Sequence, residues 1–393
     1  MNLRQAMSRF QNTIYARAVR HGVTLAIPFL IMGSFALLLT NFPLGVYQNF
    51  IRTWMNGAAS AILETLYQIS LGSLALVLTV TISISYGHLT ETDQLFLYPI
   101  VAVCSYLAFC GGIENQSDYI FNAEWVFTAM VITLLSCVLF HKILKLGHRF
   151  ERLHTTGADY LFNISIQCLI PVILVSLFFA VTGYVLRVAW DSSNITNFGS
   201  YLFLKLFDKI SGNLFGILLY VVMTHLLWFM GIHGTNTLEA VSRHLFEQNV
   251  EINQSLVLAG HIPTEIFSKT FLDTFVFIGG CGTALSFVLA LYIASKQSHN
   301  RKMSFVALPS ALFNISEIAV FGFPIIFNLT MLIPFILTPV ILTLISASAI
   351  KTGLVPAVTQ SVEWTIPVLL SGYQATGSVS GSLLQLFNLL VGV

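Results

Sequence analysis

The chain has 393 residues and a net charge of +1; 56% of its residues are hydrophobic and only 9% are Asp, Glu, Lys or Arg. Soluble domains carry about 25% charged residues, so this composition excludes a surface lying mostly in water, and the lack of a basic excess excludes a nucleic-acid partner. The five cysteines, Cys104, Cys110, Cys137, Cys168 and Cys281, lie in or beside apolar runs without metal-ligand spacing, so neither disulfides nor a metal site nor a cofactor is expected.

The first twenty residues hold Arg4, Arg9, Arg17 and Arg20 and no acid, which places the N-terminus in the cytoplasm by the positive-inside rule. The first apolar run is too long for a signal peptide and is followed by no small-residue cleavage site. Crossing about 30 Å of hydrocarbon takes roughly 17–25 apolar residues. Runs of that kind occur at 23–40, 71–86, 95–110, 125–144, 164–190, 214–232, 271–295 and 327–350. A last run from about residue 381 stops at Val393, short for a crossing, and reads as a truncated helix.

Loop charges support this scheme through five spans. The loop 111–124 carries Glu114, Asp118 and Glu124 and no base, whereas 141–152 carries Lys142, Lys145, Arg149 and Arg152. Lys296, Arg301 and Lys302 again look cytoplasmic, which requires an even number of crossings, or a re-entrant element, between 191 and 270. A broken element is favoured there, because non-helical backbone at membrane depth is tolerated only inside protein or beside a cavity. The stretch 197–210 sets Phe203, Leu206, Phe207 and Ile210 against Lys205, Asp208 and Lys209, the pattern of an interfacial amphipathic helix. The expected fold is therefore all-α and polytopic, with a first membrane half over 1–195 and a second over 196–393.

Polar groups concentrate in the second half. His233 stands between Ile232 and Gly234 at the end of an apolar run; it either caps a span at the interface or meets a ligand, and imidazole can donate, accept or pass a proton. Glu317 is embedded in apolar neighbours, and a carboxylate at membrane depth is by default a functional residue. Pro309, Gly322 and Pro324 bracket it, as in a re-entrant hairpin. Asp273 precedes Gly279, Gly280 and Gly282 and is explained equally by a helix N-terminus. Trp364, followed by Thr365, is placed either to stack on a sugar ring or to anchor at the interface.

The stretches IPFLIMGSFALLLTNFP from Ile27, WFMGIHGTN from Trp228, TFLDTFVFIGGCGTAL from Thr270, FNISEIAVFGFPIIFN from Phe313 and WTIPVLLSGYQATG from Trp364 occur in order over nearly the whole chain. In these the chain resembles enzyme IIC, the membrane component of the phosphoenolpyruvate-dependent sugar phosphotransferase system, in its lactose/cellobiose/chitobiose family. The resemblance implies about ten spans, two re-entrant hairpins in the C-terminal half, a dimerising N-terminal half and an elevator-like movement of the bound sugar. It further implies a lipid-embedded homodimer in the bacterial cytoplasmic (inner) membrane and a disaccharide substrate. Phosphorylation is then catalysed only together with cytoplasmic IIB and IIA partners. His233 and Glu317 map to the family's sugar-holding and catalytic positions, with Asn236, Asn314, Trp364 and Thr365 as further sugar contacts. Where the family has Pro after the Glu, this chain has Ile318. An alternative reading is a sugar-sensing module that regulates a C-terminal effector such as a cyclic-di-GMP phosphodiesterase, and a third is a phosphate-independent symporter.

Overall fold

A computed structural model describes residues 9–42, 44–92, 94–112, 118–146, 157, 159–189, 198–210 and 212–393. Arg4, Glu114, Arg149 and Arg152, used above to orient the chain, lie outside the described residues. In an apolar environment a backbone N–H or C=O finds no water, so runs of Leu, Ile, Val and Phe close their hydrogen bonds internally as helices. Accordingly the described residues contain helices and turns and no strand. Five helical stretches are long and apolar enough to cross a membrane: Ile14–Thr40, Ala58–Leu89, Ala123–Leu146, Leu169–Val188 and Leu329–Lys351. Leu97–Cys110, Leu214–Phe229, Ala284–Ala294 and Val379–Gly392 are shorter apolar helices.

The chain divides into two compact units, Met1–Ala26 with Ser73–Tyr201, and Ile27–Gly72 with Leu202–Val393. The long helix α1 (Ile14–Thr40) begins in the first and continues into the second. After α2 (Gly45–Thr53) and α3 (Ala58–Gln68), the first unit packs α4 (Leu74–Leu89), α5 (Leu97–Cys110), α6 (Val126–Leu146) and, beyond the short α7 (Tyr160–Gln167), α8 (Leu169–Ala189) against one another. Helix α8 approaches α5 closely because Gly183 lies against the Phe109 carbonyl, where any Cβ would collide with backbone. Small residues are what let helices pack in lipid, since no hydrophobic driving force operates between them there. Three long-range polar contacts cross this unit: Tyr98 Oη meets His141 Nδ1 at 2.8 Å, Tyr106 donates to the Ile120 carbonyl and Arg187 to that of Phe109.

The second unit holds the interrupted elements. The helix α9 (Phe198–Phe207) buries Phe203 and Phe207 while Lys205 is exposed, and Leu206, expected on the apolar side, is exposed too. Beyond α10 (Leu214–Phe229) come α11 (Gly234–Thr237), α12 (Glu239–Phe246) and α13 (Asn249–Leu258). The run 271–295, expected as one span, is not a continuous helix. A turn at Lys269–Phe271 passes into a π-helical segment, Leu272–Val276, and the chain then breaks before α14 (Ala284–Ala294). The cause is local: Gly279, Gly280 and Gly282 have φ of 76°, 94° and 72°, left-handed conformations that glycine adopts without steric cost. Asp273, within the π segment, pairs with Lys269 at 3.1 Å.

The helices α15 (Ser298–Leu312), α16 (Glu317–Gly322), α17 (Leu329–Lys351), α18 (Leu370–Thr376) and α19 (Val379–Gly392) complete the unit. Pro309 lies inside α15 rather than at its edge. The core gathers Ile278, Leu285, Ala311 and Leu342, with Leu289, Leu308, Ile345, Val368 and Leu389 packed around them.

Broken segments leave backbone groups without helical partners, and buried amide side chains take their place. Gln385 on α19 accepts from the N–H groups of Leu369 and Gly372, both at 2.8 Å, and donates to the Thr274 carbonyl at 2.7 Å and Ser371 Oγ at 2.8 Å. One turn on, Asn388 donates to the Phe275 carbonyl at 2.9 Å and Ser346 Oγ at 2.8 Å. The π segment is thereby tied to α19 through two of its own carbonyls. Asn253 likewise donates to the carbonyls of Glu265 and Val358, at 2.7 and 2.9 Å. An unpaired buried polar group costs about 1–3 kcal/mol, so Gln385→Leu, which strands four such groups at once, is expected to lower the unfolding temperature in detergent by well over 5 °C. Unfolding at the wild-type temperature would show that water or relaxation replaces these bonds.

Candidate functional site

The strand-free turn after α10 sets the first residue. Gly231 has φ of 83° and reverses the chain, so that His233 falls at the N-cap of α11 with extended backbone, φ −68° and ψ 92°. An N-cap side chain accepts from the N–H groups of the following turn, and here the Asn236 amide N–H donates to His233 Nδ1 at 3.4 Å. Thr235 Oγ1 lies 3.3 Å from the same nitrogen. The Trp228 indole, 1% exposed, covers the imidazole at a ring-centroid distance of 4.3 Å. The ring is therefore held from two sides by its own segment.

Glu317 arrives from 84 residues away, at the start of α16. Its Oε1 stands 3.4 Å from His233 Nε2, and the side chains are only 9% and 10% exposed. Because Nδ1 accepts from a backbone N–H, the neutral ring carries its proton on Nε2, and that proton faces the carboxylate. The pair thus presents one donor and one acceptor side by side. A separation of 3.4 Å is long for a charge-assisted hydrogen bond, which closes to about 2.7–2.9 Å, so the two groups are not locked together.

The remaining expected residues divide by contact. Asn236 is half-buried next to His233, joined to it through its backbone. Asn314 is buried and has φ of 61°, a left-handed conformation that Asn tolerates better than most residues. Its Oδ1 accepts from the Gly279 N–H at 2.8 Å, and its Nδ2 donates to the carbonyls of Trp364 at 2.6 Å and Ile366 at 3.2 Å. Both amide donors are thus spent on backbone. Trp364 is 37% exposed and Thr365 6%; they join the site through that loop, and no hydrogen bond links either side chain to Glu317. Ile318 sits in the first turn of α16. Before a proline the helical conformation is disfavoured, so Ile318 leaves Glu317 free to begin the helix.

Several contributors carry no signal of their own in the sequence. His225, deep in α10, is fully buried; its Nδ1 meets the Val221 carbonyl at 2.6 Å and its Nε2 accepts from the Gly282 N–H at 2.9 Å. Within an apolar run it reads as an isolated histidine. Gln385 is equally unmarked, since its Thr274 partner is far away in the chain. Among the described residues no group of three or more His, Cys, Asp and Glu could hold a metal ion.

Residues 20–339 match the family described as Phosphotransferase system, EIIC. The lichenan permease IIC component of Bacillus subtilis is 27% identical over 96% of this chain and 86% of its own length. The cellobiose-specific EIIC component of Geobacillus stearothermophilus is 26% identical over 96% and 87%. Among solved structures, the transporter ChbC, the IIC component from the N,N'-diacetylchitobiose-specific phosphotransferase system, superposes with a TM-score of 0.52 at 23% identity, covering 99% of this chain and 93% of that one. With the family model spanning residues 20–339, this chain belongs to the EIIC family of the phosphotransferase system.

Proposed function

We propose that this chain carries a disaccharide of the cellobiose type across the cytoplasmic membrane and presents one of its hydroxyls for phosphorylation by a partner IIB protein. The observation that carries the reading is the buried pair of His233 Nε2 and Glu317 Oε1 at 3.4 Å, a donor and an acceptor not locked to each other. A sugar hydroxyl entering between them accepts from Nε2–H through its oxygen and donates its proton to the carboxylate. Glu317 then acts as general base: the hydroxyl oxygen attacks the phosphorus of the IIB phosphocysteine, the P–S bond breaks, the thiolate remains on IIB and the proton on Glu317. His233 orients the attacking oxygen. Asn236 and Thr365 are assigned to neighbouring hydroxyls, and the Trp364 ring to the apolar face of a pyranose. The permeases named above for lichenan and cellobiose support the sugar class.

The same reading takes the interrupted stretches around 272–283 and 313–324 as re-entrant hairpins among about ten spans. It places the N-terminus in the cytoplasm and assigns the half 1–195 to a scaffold that pairs two copies of the chain, with the half 196–393 carrying the sugar. The relatives above are permease or EIIC components by name, and nothing in them favours the sensing or symport alternatives.

Thermal unfolding in detergent with cellobiose, lactose and N,N'-diacetylchitobiose as probes tests the site. A sugar at 100 times its dissociation constant adds about 2.7 kcal/mol. At least one probe is expected to raise the unfolding temperature of the wild-type chain. His233→Ala and Glu317→Gln are expected to unfold unliganded near the wild-type temperature and to show no shift with sugar. Wild-type affinity in both variants would sink the assignment.

A further inference from the structure

The glycine turn 279–282 is held at both ends by side chains from elsewhere. At one end Asn314 Oδ1 accepts from the Gly279 N–H at 2.8 Å, and at the other His225 Nε2 accepts from the Gly282 N–H at 2.9 Å. Neither amide has a helical partner, because left-handed glycines interrupt the helix at that point. Each therefore depends on its side-chain acceptor in a buried setting. The acceptors are themselves fixed. His225 is clamped by the Val221 carbonyl and packed edge-on by Phe277 and Phe335, at ring distances of 5.5 and 5.3 Å. Asn314 is anchored through the carbonyls of Trp364 and Ile366.

The turn also touches the segment that carries Glu317. A Cβ on Gly280 would come within 2.6 Å of the Asn314 carbonyl and of Ser316 Cβ, so the turn lies flat against the backbone that delivers Glu317. A displacement of this turn would therefore move the backbone that carries Glu317 relative to His233.

We infer that Asn314 and His225 are positioning residues which pin the 279–282 turn so that His233 and Glu317 meet. Asn314 in this account does not bind sugar through its amide donors; it joins three chain breaks, at 279, 314 and 364–366. His225, despite being an imidazole, moves no proton. Both ring nitrogens are occupied by backbone groups, and its task is to accept one amide hydrogen.

Cys281 reports on the turn directly, being buried at 4% exposure. The experiment uses the full chain in detergent with Cys104→Ser, Cys110→Ala, Cys137→Ala and Cys168→Ala, and measures alkylation of Cys281 by N-ethylmaleimide. Asn314→Gly keeps the left-handed backbone and removes the clamp, while His225→Phe keeps the ring volume and removes the acceptor. Each is expected to raise the labelling rate by about tenfold or more through local opening. Asn314→Asp retains the acceptor for Gly279 and is expected to restore slow labelling. Having lost the two donors to the 364–366 loop, it should still weaken cellobiose binding by about tenfold. Wild-type labelling rates in both Asn314→Gly and His225→Phe would overturn the inference. Should those variants fail to fold, hydrogen exchange on the unsubstituted chain decides: slow exchange in a peptide covering Gly279 and Gly282 supports the clamp, and exchange at the rate of an open loop contradicts it. Only the sugar arm rests on the function proposed above, so a chain that binds no cellobiose still tests the clamp by labelling.

Discussion

Every interruption of a helix in this protein raises one demand, that a freed backbone N–H or C=O find a partner without water. The second unit meets it with amide side chains, which offer two donors and an acceptor on one planar group. Gln385 uses both kinds at once, serving two N–H groups, a carbonyl and a hydroxyl. Asn253 does the same with Glu265, accepting from its N–H and donating to its carbonyl. A charged side chain would meet part of this need but would carry a desolvation cost of several kcal/mol, whereas an amide is neutral.

The candidate site depends on those bonds. His233 and Glu317 lie 84 residues apart and on different elements, and neither element is a long helix that could place its side chain by rigidity alone. One follows a reversal at Gly231 and opens a four-residue helix; the other opens a six-residue helix after the left-handed Asn314. Precision comes from cross-links to neighbouring backbone. The Phe327 N–H donating to the Phe229 carbonyl at 3.0 Å fixes the end of α10 before the His233 turn, and Asn314 fixes the approach to Glu317. The His233 tautomer follows from the same economy, since its Nδ1 serves the α11 N-terminus and leaves Nε2–H to face the carboxylate.

Much of the framework was legible from hydropathy, because a run of apolar residues has few options but to close as a helix. The long helices at Ile14–Thr40, Leu169–Val188 and Leu329–Lys351 contain or follow the expected runs at 23–40, 164–190 and 327–350. His233 and Glu317 stood out for the converse reason, as polar groups where composition makes them costly. The break at 277–283 was not legible: its neighbours Phe275, Val276, Phe277 and Ile278 are as apolar as any span, and its glycines read equally well as helix-packing residues. Gln385 and Asn388 were passed over because each is a single amide in an apolar run, with carbonyl partners 111 and 113 residues away. Asn314 was visible as a polar residue beside Glu317, but only the geometry shows its donors committed to Trp364 and Ile366.

The proposed chemistry requires a sugar hydroxyl between His233 and Glu317. A crystal or cryo-electron-microscopy structure of the full chain with cellobiose bound measures this most directly. The prediction is one sugar hydroxyl within hydrogen-bond distance, about 2.6–3.2 Å, of both His233 Nε2 and a Glu317 carboxylate oxygen, with the 279–282 turn still bonded to His225 and Asn314. A sugar bound in the second unit without contact to either His233 or Glu317 would contradict it.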